Sequence, residues 1–151
     1  RGEGGLVDAL CGGRRRHYTL GVRGLQMTAL PDVVIEAWEN REGPAIFATV
    51  DEDGTPNVIY VGSLGRHGED TLVVADNYFD KTRRNLKAGS RGAFLFMGAD
   101  GKAYQVKGRV EYHTEGEVFD GMKRWNPEKH PGHAAAALKV EAVYSGATKL
   151  A

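Results

Sequence analysis

From Ala45 onward, apolar and polar positions fall into short runs cut by Gly-containing turns, the texture of a sheet built mainly from hairpins. Ala45–Val50 is a β-branched apolar run, and Asp51-Glu52-Asp53-Gly54 is a hairpin turn in which Gly54 supplies a positive φ. Strands are then expected at Pro56–Gly62 and, after a turn over 65–70, at Thr71–Ala75. Further strands follow at Gly92–Met97, at Tyr104–Tyr112 after an Asp100-Gly101 turn, and at Ala137–Tyr144. Helical spacing appears in three places. Val34, Ala37 and Trp38 share one face after Pro31-Asp32. Asp80 to Ala88 reads as a short helix stopped by Gly89. Val118, Phe119, Met122 and Trp125 line one side of a third helix, which Thr114 and Glu117 would open as a capping box. About six antiparallel strands with three helices, and no run of βαβ units, favour a closed or nearly closed sheet over a doubly wound one.

Residues 1–26 break this pattern. They are rich in Gly and Arg and show neither period, so a tail or extension is expected there, with the domain spanning 27–151. A chain of 151 residues, 41% apolar and 26% charged, suits one ordinary core. Formal net charge is zero, so no global field draws it to nucleic acid or an acidic membrane, and an anion site has to be local. The single cysteine, Cys11, excludes an intramolecular disulfide and fits a reducing cytoplasm. No apolar run is long enough for a spanning helix, and Arg14-Arg15-Arg16 precedes no signal-like apolar region.

The segment Val73 to Leu86 carries the most chemistry. An apolar strand delivers the chain to a loop, Asp80 caps a helix, and Lys81 and Thr82 are its first residues. Free amides and the dipole at a helix start favour an anion; Lys81 adds a charge, Thr82 a hydroxyl donor, and Arg83 and Arg84 add more if the helix faces them inward. A capped helix with a solvated basic face is the competing reading of the same residues. His113, His130 and His133 with Glu128 form a weak metal-like cluster without a clear third ligand. Ser63 and Ser90 lack the surroundings of a hydrolase nucleophile, and Trp38 and Trp125 read as packing.

Four stretches in order carry a family resemblance: Gly43–Thr49; Asp53–Tyr60; Asp80-Lys81-Thr82 with Asn85-Leu86; and Val106–Arg109 running on to Thr114-Glu115-Gly116. Over 30–150 the chain resembles the pyridoxamine 5′-phosphate oxidase-like, FMN-binding split-barrel family, and most closely its small FMN-binding, electron-transfer members. That resemblance implies a six-stranded antiparallel split β-barrel forming a homodimer, with FMN in clefts at the subunit interface. By position, the backbone of Ile59, Tyr60, Val61 and Gly62 would run along the isoalloxazine ring. Backbone groups of Ala75, Asp76 and Asn77 would meet the ribityl chain or ring edge, and Lys81 and Thr82 would hold the phosphate.

The chain also departs from the family. Tyr60, Val61 and Gly62 stand where the small FMN-binding proteins carry polar and Trp residues, leaving backbone contacts to the ring. The arginine-bearing C-terminal motif with which the true oxidases hold pyridoxal phosphate is absent, which argues against a vitamin B6 oxidase. The expected function is therefore an FMN-dependent oxidoreductase or electron carrier with no named acid or base. The alternatives are a deazaflavin or haem in the same fold, or a non-catalytic binding module. Tyr78 or Trp125 is a candidate wall for the flavin, with core packing the competing role for each.

Overall fold

The computed structural model describes residues 28–151; the expected 1–26 tail lies outside them. Element order is α1 (Asp32–Glu39), β1 (Ala45–Val50), β2 (Pro56–Val61), β3 (Leu64–Arg66), β4 (Thr71–Asp76), α2 (Lys81–Lys87), β5 (Arg91–Met97), β6 (Ala103–His113), α3 (Glu117–Trp125), β7 (Ala134–Ser145) and β8 (Thr148–Lys149). All strands pair antiparallel in the order β2-β1-β5-β6-β7-β4-β3, with β8 beside β7. The six expected strands are the long ones. The two additions, β3 and β8, have three and two residues, too short to leave a periodic signal. The span 65–70 is accordingly not all turn, because Gly65 and Arg66 pair with Val73 and Leu72.

The two ends of this sheet path, β2 and β3, are joined only by Gly62 and Ser63. Three Cα–Cα steps reach at most about 11 Å, so the sheet has to curl until its edges almost meet. It becomes a barrel with an open seam. A bulge helps the curl: β6 and β7 shift register between Lys107 and Gly108. Any Cβ on Gly108 would lie 1.9 Å from the Lys139 carbonyl oxygen, so only glycine fits there.

Burial follows from this curl. Leu72 and Val74 of β4 join the barrel core with Ala136 and Leu138, while Val73 and Ala75 face Met122, Ala135 and Ala137 under α3. Both faces of β4 are covered, which is why its sequence is one unbroken apolar run. Helix α1 packs on the barrel core through Val34, Ala37 and Trp38, buried as the spacing predicts. The Trp38 indole meets Phe94 and Phe96 edge-on at 5.3 and 5.0 Å and donates to the Gly65 carbonyl at 3.1 Å.

Two expected helix starts differ from the sequence reading. Gly116, with φ 89°, occupies the N-cap of α3, and no side chain caps it. The Thr114–Glu117 box does not form, because the left-handed glycine brings the chain in at another angle. At α2, Asp80 stands at the N-cap position without a side-chain cap bond. Its carboxylate instead lies 3.4 Å from Arg84, with both side chains well exposed.

Candidate functional site

Two depressions lie at opposite ends of β2. The first is bounded by the hairpin Asp51-Glu52-Asp53, by Thr55, Pro56 and Asn57, and by Lys81, Arg84, Asn85 and Ala88 of the α2 segment; its volume is about 490 Å³. The second, about 550 Å³, opens at the barrel seam. Ile59 to Ser63 form one wall, Val74, Ala75 and Asn77 to Phe79 a second, and Pro127, Lys129 and His130 a rim. Only Val58 separates Asn57 in one depression from Ile59 in the other, about 7 Å along a strand.

The first depression rests on a buried polar layer. Asn85 and Asn57 both donate to the Thr49 hydroxyl, at 3.0 and 3.1 Å, and Asn57 also donates to the Thr82 hydroxyl at 2.9 Å. Thr82 is 2% exposed and turned into this layer, while Lys81 lies on the exposed rim. The facing hairpin is acidic, but Asp51 spends its carboxylate internally, accepting from the Asp53 and Thr55 amides at 2.9 and 2.8 Å.

Arg83 is removed from any anion site by Asp76. The Asp76 carboxylate is fully buried and accepts from Arg83 Nε at 2.6 Å and Nη2 at 2.9 Å, from the Phe79 amide at 3.0 Å, and from the Tyr112 hydroxyl. Burial pushes the Asp76 carboxyl up, but the hydrogen bonds from Arg83, Tyr112 and Phe79 outweigh it and hold the group below its ordinary value. Burial and the adjacent carboxylate push Tyr112 up to about 12. This cluster ties the end of β4 to α2 and β6. The Asp76 carbonyl also accepts from the His133 amide at 2.8 Å.

Asn77 has an equally full set of partners. Its amide nitrogen donates to Ser63 at 3.2 Å and to Asn126 at 3.1 Å, while its oxygen accepts from Asn126 and from the Gly132 amide, both at 2.9 Å. The loop between α3 and β7 is thereby fastened to the end of β4. Lys123 adds bonds to the Pro131 and Gly132 carbonyls at 3.0 and 3.4 Å. The fastening carries Lys129 and His130 to the second depression, where the Tyr78 hydroxyl is 3.1 Å from His130 Nδ1.

Of the nine positions expected to bind a cofactor, the structure brings Ile59, Tyr60, Val61, Gly62, Ala75 and Asn77 together around the seam cleft. Lys81 lines the other depression, and Asp76 and Thr82 line neither. Tyr78 belongs to the cleft wall, whereas Trp125 lies over Gly65, so close that a Cβ there would be 2.5 Å from the indole. His113 pairs with Glu111 at 3.0 Å, away from His130. Lys129 escaped the sequence reading because long-range contacts, the Asn77–Asn126 pairing 49 residues apart among them, bring it to the cleft.

Curled sheet, seam and flanking helices define a class. The chain belongs to the pyridoxamine 5′-phosphate oxidase family, whose profile matches residues 33–146. Over 128 residues it is 26% identical to an uncharacterised protein of Methanocaldococcus jannaschii, covering 81% of this chain and 84% of that one. Among solved structures, HupZ of Group A Streptococcus superposes with a TM-score of 0.67 at 24% identity, covering 77% of this chain and 93% of that one. An FMN-binding protein from Syntrophomonas wolfei gives 0.65 at 23% identity, covering 77% and 87%. These two likenesses establish the split-barrel fold. Among the described residues, no helix is long and apolar enough to cross a membrane.

Proposed function

We propose that the chain is an FMN-binding flavoprotein, an oxidoreductase or electron carrier, with the ring in the seam cleft and the phosphate beside Lys81. The observation that carries this reading is the placement of the two depressions along one strand. At one end, Lys81 offers a cation over a polar floor; at the other, an apolar slot is lined by the stretch Ile59 to Gly62. The residues present fit a flavin in kind. Ile59, Val61, Val74 and Phe79 give a planar ring apolar contact, and Gly62 has open space where a side chain would stand. The acidic hairpin opposes a phosphate in part, and the internal use of Asp51 reduces that opposition.

Bound FMN would supply electron or hydride transfer; the protein's part is to bind, orient and limit access. Thr82 would reach the phosphate only from the pocket floor, its oxygen already accepting from Asn57. Asp76 would act through its grip on Arg83 and β4 rather than by touching the cofactor.

We infer a homodimer on separate grounds. Antiparallel register sets Tyr60, Ile46 and Leu95 in one row across β2, β1 and β5, and Tyr60, Leu95, Val58 and Met97 are exposed. Such an apolar sheet face suits a second copy of the chain, and Tyr60 belongs both to this row and to the cleft wall. A Leu95→Glu variant that sediments as the wild type does would remove this inference.

The cofactor reading is tested by titrating apoprotein with FMN and following flavin fluorescence, with deazaflavin and haem as competitors. Quenching by FMN at stoichiometric concentration is expected. Preferential uptake of either competitor would move the function to the alternative cofactor. A cleft that takes none of the three is a non-catalytic binding module.

A further inference from the structure

The two depressions differ most in their charges. Lys81 and Arg84 share the first with Asp51, Glu52 and Asp53. Among the described residues, the lining of the seam cleft contains no carboxylate; its only ionisable side chains there besides two tyrosines are Lys129 and His130, consecutive on the rim. Glu128 precedes them in the chain but does not line the cleft. A cation beside an apolar slot, with no counter-charge in the lining, attracts an anion whose body is apolar.

The loop that presents this pair is held in place rather than loosely draped. The Asn77–Asn126 amide pair and the Gly132 amide fix its two ends, and Lys123 bonds to its carbonyls. His130 is fixed in turn. Its ring meets Tyr78 edge-on at 5.6 Å, and its Nδ1 lies 3.1 Å from the Tyr78 hydroxyl. In the tautomer whose Nδ1 accepts from the Tyr78 hydroxyl, the other ring nitrogen, Nε2, is an N–H donor. In that tautomer the two rim residues carry two donors, the Lys129 ammonium and His130 Nε2, the number a carboxylate's two oxygens accept.

We propose that Lys129 and His130 form a carboxylate subsite at the mouth of the seam cleft, so that the molecule meeting the cofactor is a planar, apolar compound bearing a carboxylate. The identity of the neighbouring cofactor rests on the flavin reading above; the subsite itself rests on this chain's own side chains.

Benzoate and benzamide, alike in shape and different in charge, serve as probes. With FMN-loaded protein, the visible flavin spectrum is followed as each is added. Benzoate is expected to bind about tenfold more tightly than benzamide, the size of one charge-assisted contact. Lys129→Gln and His130→Gln, each measured at saturating FMN, are each expected to shrink that ratio severalfold. Apoprotein gives a second readout, in which benzoate, and not benzamide, shifts the His130 imidazole resonances. Equal binding of the two probes, a ratio unchanged in both variants, benzoate that displaces FMN, or unmoved His130 resonances would each overturn the subsite. Protein that takes up no FMN defeats the flavin reading, while the apoprotein resonances still decide this one.

Discussion

The two ends of β2 solve different problems with different parts of the chain. At the α2 end the depression is made of side chains: Lys81, Arg84 and an acidic hairpin over a layer of Thr and Asn. At the seam the stretch Ile59 to Gly62 meets the end of β4, and among the described residues the one lysine or arginine in the lining comes from a loop far along the chain. The difference teaches where selectivity can reside. Charges at the α2 end can recognise a phosphate. On the proposed flavin reading, the seam takes the ring and its rim decides what approaches it.

The strongest way to break this arrangement is at Asp76, which couples the two regions. Asp76→Ala leaves Arg83 and Tyr112 without their shared partner and is expected to cost about 3 kcal/mol of folding stability, read from urea denaturation. The same group sets an acid limit. Its folded-state pKa is lowered, so its stabilisation is fully present above about pH 4 and is lost as pH falls through the folded value. Tyr112 acts at the other extreme, its contribution being full below about pH 10 and lost as pH rises through about 12. An Asp76→Asn variant whose acid limb matches that of the wild type would assign the acid limit elsewhere.

A smaller effect separates the two depressions directly. Lys81→Ala should weaken FMN binding about tenfold and leave riboflavin, which has no phosphate, unaffected. Equal losses for both ligands would move the phosphate away from α2. The FMN loss should also diminish as salt is raised, because Lys81 is exposed. Smallest of all is Gly62→Val. Nothing lies within 4 Å of a Cβ at Gly62 and the residue does not adopt a positive φ, so stability should change by less than about 0.5 kcal/mol. FMN and riboflavin should weaken together, to a lesser degree than FMN does in Lys81→Ala.

Local pattern was enough to define the long strands, the three helices and the buried face of α1. Each depends on periodicity within a dozen residues, and Val34, Ala37 and Trp38 are buried as their spacing requires. The order of motifs likewise pointed to the split barrel. The fate of individual polar side chains was not legible in this way. Arg83 was available to an anion until the fold brought a buried carboxylate beside it, and the Thr114–Glu117 box gave way to a left-handed glycine.

The sequence by itself therefore determined the long strands, the three helices, the hairpin connections and the cation at the start of α2, because these are properties of neighbouring residues. Only the tertiary structure decided that β2 and β3 meet across a seam, that Asn77 pairs with Asn126, and that Lys129 and His130 stand at the mouth of the seam cleft. Those relations join residues far apart in the chain through sheet curvature and amide pairing, for which no local period exists.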